Sequence, residues 1–95
     1  MNVQHDIQHS RFVIPLLSGE AELVYMMRGN DSMDLQHTEV PPSDRNQGIA
    51  DALVRAALAY AREHGLRVIA TCPYVQVWLR RHREERLALG LDASA

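Results

Sequence analysis

Ninety-five residues suffice for one domain with one core and are too few for two. A formal charge of −2 excludes a globally basic nucleic-acid binder, and 46% hydrophobic with 23% charged residues is the balance of a water-soluble globular chain. A single cysteine cannot close an internal disulfide, which favours a reducing compartment.

The opening stretch MNVQHDIQHSRF has no apolar run of signal-peptide length, and no later run approaches a membrane span. The expectation is a cytoplasmic protein with no membrane and no nucleic-acid partner. It forms one domain over residues 1–95, with 1–9 and 91–95 frayed. His5 and His9 have the spacing of metal ligands on a helix, but the segment reads as extended and no third ligand type joins them, so no metal is expected.

From Arg11 the pattern is that of strands. RFVIPLL (Arg11–Leu17) is a compact apolar run closed by the turn signal SGE. In AELVYMMR (Ala21–Arg28), Leu23, Tyr25 and Met27 alternate with Glu22, Val24 and Met26. GNDS is a second turn, rich in residues that tolerate left-handed backbone. MDLQHTEV (Met33–Val40) alternates again and sets Met33, Leu35 and His37 on one face. Short loops make these an antiparallel three-stranded meander, ended by Pro41 and Pro42.

The period then changes to that of a helix. Ile49, Leu53, Ala56, Ala57, Tyr60 and His64 recur on one side, many alanines permit close packing, and Gly65 supplies the stop. LRVIATC (Leu66–Cys72) is a fourth, strongly apolar strand. Pro73 opens a helix over Tyr74–His82, which Arg83–Gly90 either continues or follows as a separate turn. The order β-β-β-α-β-α gives an α+β domain with a mixed sheet. One crossover helix between the third and fourth strands favours their parallel pairing with right-handed connection.

The junction before the long helix, DRNQGIADALV, has two readings. Asp44 either caps the helix with its carboxylate, or the amides at the helix start stay open for an anion at the carboxyl end of a strand. Arg45–Ala50 reads R-N-Q-G-I-A, and together with LQHTEVP before it and TCPYVQVWL after it the chain resembles the small, single-domain members of the GNAT superfamily of N-acetyltransferases.

That resemblance implies acetyl-CoA as cofactor and an amine as acceptor. The pyrophosphate would lie on the loop and helix start formed by Arg45, Asn46, Gln47, Gly48, Ile49 and Ala50. The pantetheine arm would run along Thr38, Glu39 and Val40, with Tyr74 beside the cofactor. It also implies catalytic candidates. Cys72 follows the next strand, and the pair His37–Thr38 lies on the strand before the loop. Two departures accompany the likeness. Leu17–Ala21 leaves room only for a turn, where larger members insert helices that build the acceptor pocket. The place of the family's tyrosine acid falls on Leu79, with Tyr74 and Trp78 the nearest aromatic groups.

The chemistry of the single residues leaves alternatives open. Cys72 is an acyl-accepting nucleophile or polar contact, or else a small buried hydrophobe. His37 is a general base on the amine or a structural histidine, and Glu39 is an alternative base on the same face. Arg45 meets a phosphate or rims the loop. The basic run Arg80–Arg83 contacts an acidic group or is a solvated helix end, and Trp78 reads as packing. Two functions fit: acetyl transfer to an amine, or a CoA-binding module with little or no transferase activity. A nucleotide site lacks the Gly-Lys-Ser/Thr element it would need.

Overall fold

Tight turns connect the first strands and keep their pairing antiparallel. At one of them Gly29 takes a left-handed φ of 64°, which residues with a side chain rarely adopt. The computed structural model describes residues 1–88. Its elements are β1 (Gln4–Asp6), β2 (Arg11–Leu16), β3 (Gly19–Arg28), β4 (Ser32–Glu39), α1 (Ile49–Glu63), β5 (Arg67–Ala70), α2 (Pro73–Arg81) and α3 (Arg83–Ala88). One five-stranded sheet runs in the order β1-β2-β3-β4-β5, antiparallel except for the parallel pair β4–β5 that α1 connects. This is the mixed α+β sheet the sequence predicts, with one strand more.

The added strand corrects the frayed amino-terminal segment. Gln4, His5 and Asp6 pair with Val13, Phe12 and Arg11, so the meander has four strands rather than three. His5 stacks on the Phe12 ring at 4.1 Å and bonds the Tyr25 hydroxyl at 2.7 Å, which ties β1 to the core. Residues 91–95 and the end of the segment Arg83–Gly90 lie outside the described residues. The part of that segment described is a separate helix, α3, because α2 stops at the C-cap His82.

Both long helices lie on one face of the sheet. Ile49, Leu53, Val54, Ala57, Leu58 and Ala61 of α1 are buried, facing Phe12, Ile14, Leu23, Tyr25, Met33, Leu35 and Val68. The expected helix face holds for Ile49, Leu53 and Ala57. It is wider than the spacing indicated, since Val54, Leu58 and Ala61 join it while Tyr60 and Ala56 sit at its margin and His64 is exposed. Gly65 ends α1 in a left-handed turn. Its N–H bonds the Arg62 carbonyl and the Leu66 N–H bonds that of Ala61, satisfying carbonyls the helix leaves over. Among the described residues no helix is long and apolar enough to cross a membrane.

A bulge in β4 decides which side chains meet. Val24 and Tyr25 are adjacent on β3 but pair with His37 and Leu35, so Gln36 is an extra residue. The alternation of β4 inverts there. Met33, Leu35 and Thr38 face the helices, while His37 and Glu39 face the open side. This overturns the expectation that His37 shares a face with Met33 and Leu35. A strict period of two cannot survive one inserted residue.

Candidate functional site

β4 and β5 stay paired only as far as Leu35 and Ala70. The amides of Thr71 and Cys72 both bond the Leu35 carbonyl, and the chain then turns into α2 while β4 runs on to Glu39 paired only with β3. A short 3₁₀ turn over Pro42–Asp44 and the loop Arg45–Gly48 lead from β4 to α1. The space between these diverging segments is a cleft of about 400 Å³ lined by Thr38, Glu39, Val40, Asp44, Arg45, Asn46, Gly48, Ile49, Ala50, Asp51 and Tyr74.

The start of α1 forms its floor. Gly48 is the N-cap residue with a left-handed φ of 78°, and among the described residues no side chain caps the helix. Asp44 therefore does not cap α1. Its carboxylate accepts from the hydroxyls of Ser18 and Ser43. Gly48 lines the cleft, and among the described residues a Cβ built on it would meet no atom within 4 Å. Asn46 also takes a left-handed φ, of 65°, and Arg45 donates to the Val40 carbonyl at 3.2 Å, folding the loop over the end of β4. Open amides at the positive end of a fifteen-residue helix make this a place for an anion.

The helix-side wall brings Thr38 to Cys72, with Oγ1 and Sγ 3.4 Å apart. Cys72 is 3% exposed, so its sulfur meets the cleft through Thr38 and not as an open thiol. Tyr74 is 41% exposed. Burial of its phenol, helped by the charge of Asp51, pushes its pKa above the ordinary tyrosine value against the opposing pull of Arg81, so the phenol stays protonated at neutral pH. Trp78 is buried and gives its indole N–H to Asp51 at 2.7 Å, which removes it from the cleft.

On the opposite side of β4 the side chains of His37 and Glu39 are exposed and 3.3 Å apart, Nε2 to Oε2. Of the residues expected at the site, Thr38, Glu39, Val40, Arg45, Asn46, Gly48, Ile49, Ala50 and Tyr74 come together, with Cys72 behind Thr38. Gln47 and His37 are not in the lining. His5 and His9 part company. His5 bonds Tyr25, while His9 bonds the Asp6 carboxylate at 2.9 Å. Arg80, Arg81 and Arg83 are exposed at the end of α2 and start of α3.

Asp44 and Asp51 are the lining residues that sequence reasoning does not place at the site, Asp44 reading only as a possible cap and Asp51 not at all. Asp51 stands in the first turn of α1, where an acidic residue reads as a partner for the helix dipole. Its second partner, Trp78, is remote in sequence and left no local signal.

A family model for the GCN5-related N-acetyl-transferase matches residues 11–88. The chain belongs to that family. Protein NATD1 of Bos taurus is 39% identical to it over 82 residues, covering 84% of this chain and 73% of the relative. NATD1 of Homo sapiens is 38% identical with the same coverages. An NMR solution structure of a GCN5-like protein from Staphylococcus aureus superposes with a TM-score of 0.72, covering 90% of this chain and 83% of that one. At 24% identity that likeness speaks for the fold. This acetyltransferase-like domain thus keeps the sheet and the loop into α1, while the connection from β2 to β3 is a turn without added helices.

Proposed function

We propose that the protein binds acetyl-CoA in the cleft and passes its acetyl group to an amine. The observation that carries this reading is the uncapped start of α1, whose free amides and open Gly48 face the cleft at the carboxyl end of β4. The pyrophosphate would lie on the amides of Gly48, Ile49 and Ala50, with Arg45, Asn46 and Gln47 around it. The pantetheine arm would run beside Thr38, Glu39 and Val40, where β4 keeps β3 on one side but has lost β5 on the other, so that its free edge can bond an extended ligand.

In this reading the amine nitrogen attacks the thioester carbonyl carbon, the C–S bond breaks, and CoA leaves as thiolate. The pair His37 and Glu39 takes the proton from the ammonium, from the open side of β4. Tyr74, which lines the cleft and is protonated at neutral pH, would supply a proton to the thiolate. Direct attack is preferred to an acyl-enzyme on Cys72. Among the described residues the buried sulfur's hydrogen-bond partner is the Thr38 hydroxyl, and a threonine is no base for a thiol. The second reading, a CoA-binding module without transfer, is favoured by the missing insertion between β2 and β3.

Calorimetry with acetyl-CoA, followed by a screen of amine acceptors, tests both. Gly48→Val should weaken acetyl-CoA binding several-fold or more, because the branched side chain enters the room left for the phosphates and dislikes positive φ. Equal affinity in a folded Gly48→Val would remove the loop from the site. Cys72→Ser should leave binding nearly intact and cost modest activity. A Cys72 thioester that hands its acetyl group to an amine would replace direct transfer. Binding without acetylation of any amine would leave the second reading.

A further inference from the structure

The two walls of the cleft belong to different helices. The amides of Gly48, Ile49 and Ala50 come from α1, and Tyr74 comes from α2. One side chain joins them. Asp51 accepts the Trp78 indole N–H on Oδ1 at 2.7 Å and the Arg55 Nε on Oδ2 at 2.9 Å. Arg55 continues to Glu85 of α3 at 3.2 Å and lies over the Trp78 ring, 5.1 Å from its centroid. Trp78 is 3% exposed and also stacks on His82 at 3.9 Å, so the anchor on α2 is fixed.

We propose that Asp51 is a positioning residue for the cofactor, holding the open start of α1 at a set distance from α2 through Trp78. The inference rests on the acetyl-CoA reading above. Chemistry makes the arrangement telling. A carboxylate in the first turn of a helix that is to hold a pyrophosphate would repel it if it turned toward the ligand. Here both oxygens are committed, one to a neutral donor and one to a cation. Burial works to raise the pKa of Asp51, but the Trp78 and Arg55 hydrogen bonds outweigh it and hold the carboxyl ionised. The charge is thereby met by Arg55 and kept in a fixed place, and the amides of Ile49 and Ala50 remain free.

The two roles open to Asp51 differ in sign. If it positions, Asp51→Ala lowers acetyl-CoA affinity although a negative charge has gone, by about tenfold. Trp78→Phe keeps the ring, loses the donor, and lowers affinity similarly. The double variant is no worse than Asp51→Ala alone, because each single variant already breaks the Asp51–Trp78 contact. Asp51→Asn keeps an acceptor for the indole and restores affinity to within about twofold of wild type. Unchanged or tighter binding by Asp51→Ala, or additive losses in the double variant, would overturn the proposal.

A second readout needs no cofactor. Trp78 is the only tryptophan, so its indole N–H is a single, assignable NMR signal. In Asp51→Ala that signal should move, together with the backbone amides of residues 48–50 on α1 and Tyr74 on α2. Movement confined to α1 would overturn the clamp. Absence of acetyl-CoA binding by the wild-type protein sinks the functional reading instead, and the amide shifts still judge the link between the walls.

Discussion

On the face that carries α1 and α2, the sheet presents Phe12, Ile14, Leu23, Tyr25, Met33, Leu35 and Val68, all buried. On the other face, Arg11 sits among the carboxylates of Asp6, Glu20 and Glu22 at 2.9–3.1 Å, and Arg28 bonds Asp34 at 2.9 Å. The same strands thus meet water with ion pairs on one side and a hydrocarbon core on the other. Antiparallel sheets tolerate this division, whereas a parallel sheet is normally covered on both faces. The one parallel pair shows how the division is managed. Beneath β4 and β5 on the open side lies Asp34, fully buried, with Arg28, Gln36 and Thr71 supplying its hydrogen bonds. Polar satisfaction there stands in for a second helical layer.

The largest effect should come from breaking the helix-covered side. Ala57 is fully buried against the sheet, and Ala59, two residues on, is exposed. Ala57→Glu places an unpaired carboxylate in the core and should cost roughly 2 kcal/mol or more. Ala59→Glu should change stability by less than about 0.5 kcal/mol. Urea melts of the two variants measure the contrast, and equal midpoints would show that α1 does not use this face.

On the open side the expected loss is smaller and depends on pH. Asp34→Ala removes an acceptor with three side-chain donors and should cost ~1–3 kcal/mol. Burial tends to raise the Asp34 pKa, but the hydrogen bonds from Arg28, Thr71 and Gln36 prevail and hold it below the ordinary aspartate value of 3.8. A depressed carboxyl stabilises the fold fully above its unfolded pKa and loses that contribution as pH falls through the folded value. The gap between wild type and Asp34→Ala should therefore be constant at neutral pH and narrow below pH 3.8. A gap unchanged into acid would mean that the carboxylate charge contributes nothing to this face.

Most of the helix-side face was legible because its signals are local. The apolar alternation of β3, the helical spacing of Ile49, Leu53 and Ala57, and the stop at Gly65 each follow from neighbours in sequence. The loop into α1 was legible only in part: its residues left a cap by Asp44 and an open helix start both standing, and it was the family resemblance that singled out Gly48 and Ala50. Three features were not legible. Strand β1 is only three residues long and gains its place from pairing with β2 and from the contacts of His5, not from its own propensity. The bulge at Gln36 leaves no mark in the alternation before it, yet it moves Thr38 to Cys72 and sends His37 to the open side. The Asp51–Trp78 contact joins residues 27 apart, and a sequence read by short windows cannot see it.

The smallest effect belongs to the seam between the two faces, where β1 closes the edge of the sheet. His5 stacks on Phe12, stands edge-on to Tyr60 at 4.4 Å and bonds the Tyr25 hydroxyl, with His64 approaching from the end of α1 beside Tyr60 at 4.0 Å. Burial, seconded by the His64 charge, lowers the His5 pKa from 6.5, and Asp6 on the same strand offsets part of that. A histidine with a lowered folded pKa favours the fold when neutral. Its contribution is complete above the unfolded value of 6.5 and declines as pH falls from there toward the folded value. His5→Phe keeps an aromatic ring over Phe12 and cannot titrate. The difference in melting temperature between wild type and His5→Phe should thus shift against the wild type between pH 7.5 and 5.5. In a domain this size the shift should be below the ~4 °C expected of ~1 kcal/mol. His64, Asp6 and Tyr25 are present in both proteins, so the comparison varies only the group at position 5. Parallel curves over this interval would show that β1 is held by its strand pairing alone, and that the imidazole of His5 acts there as a ring and not as a base.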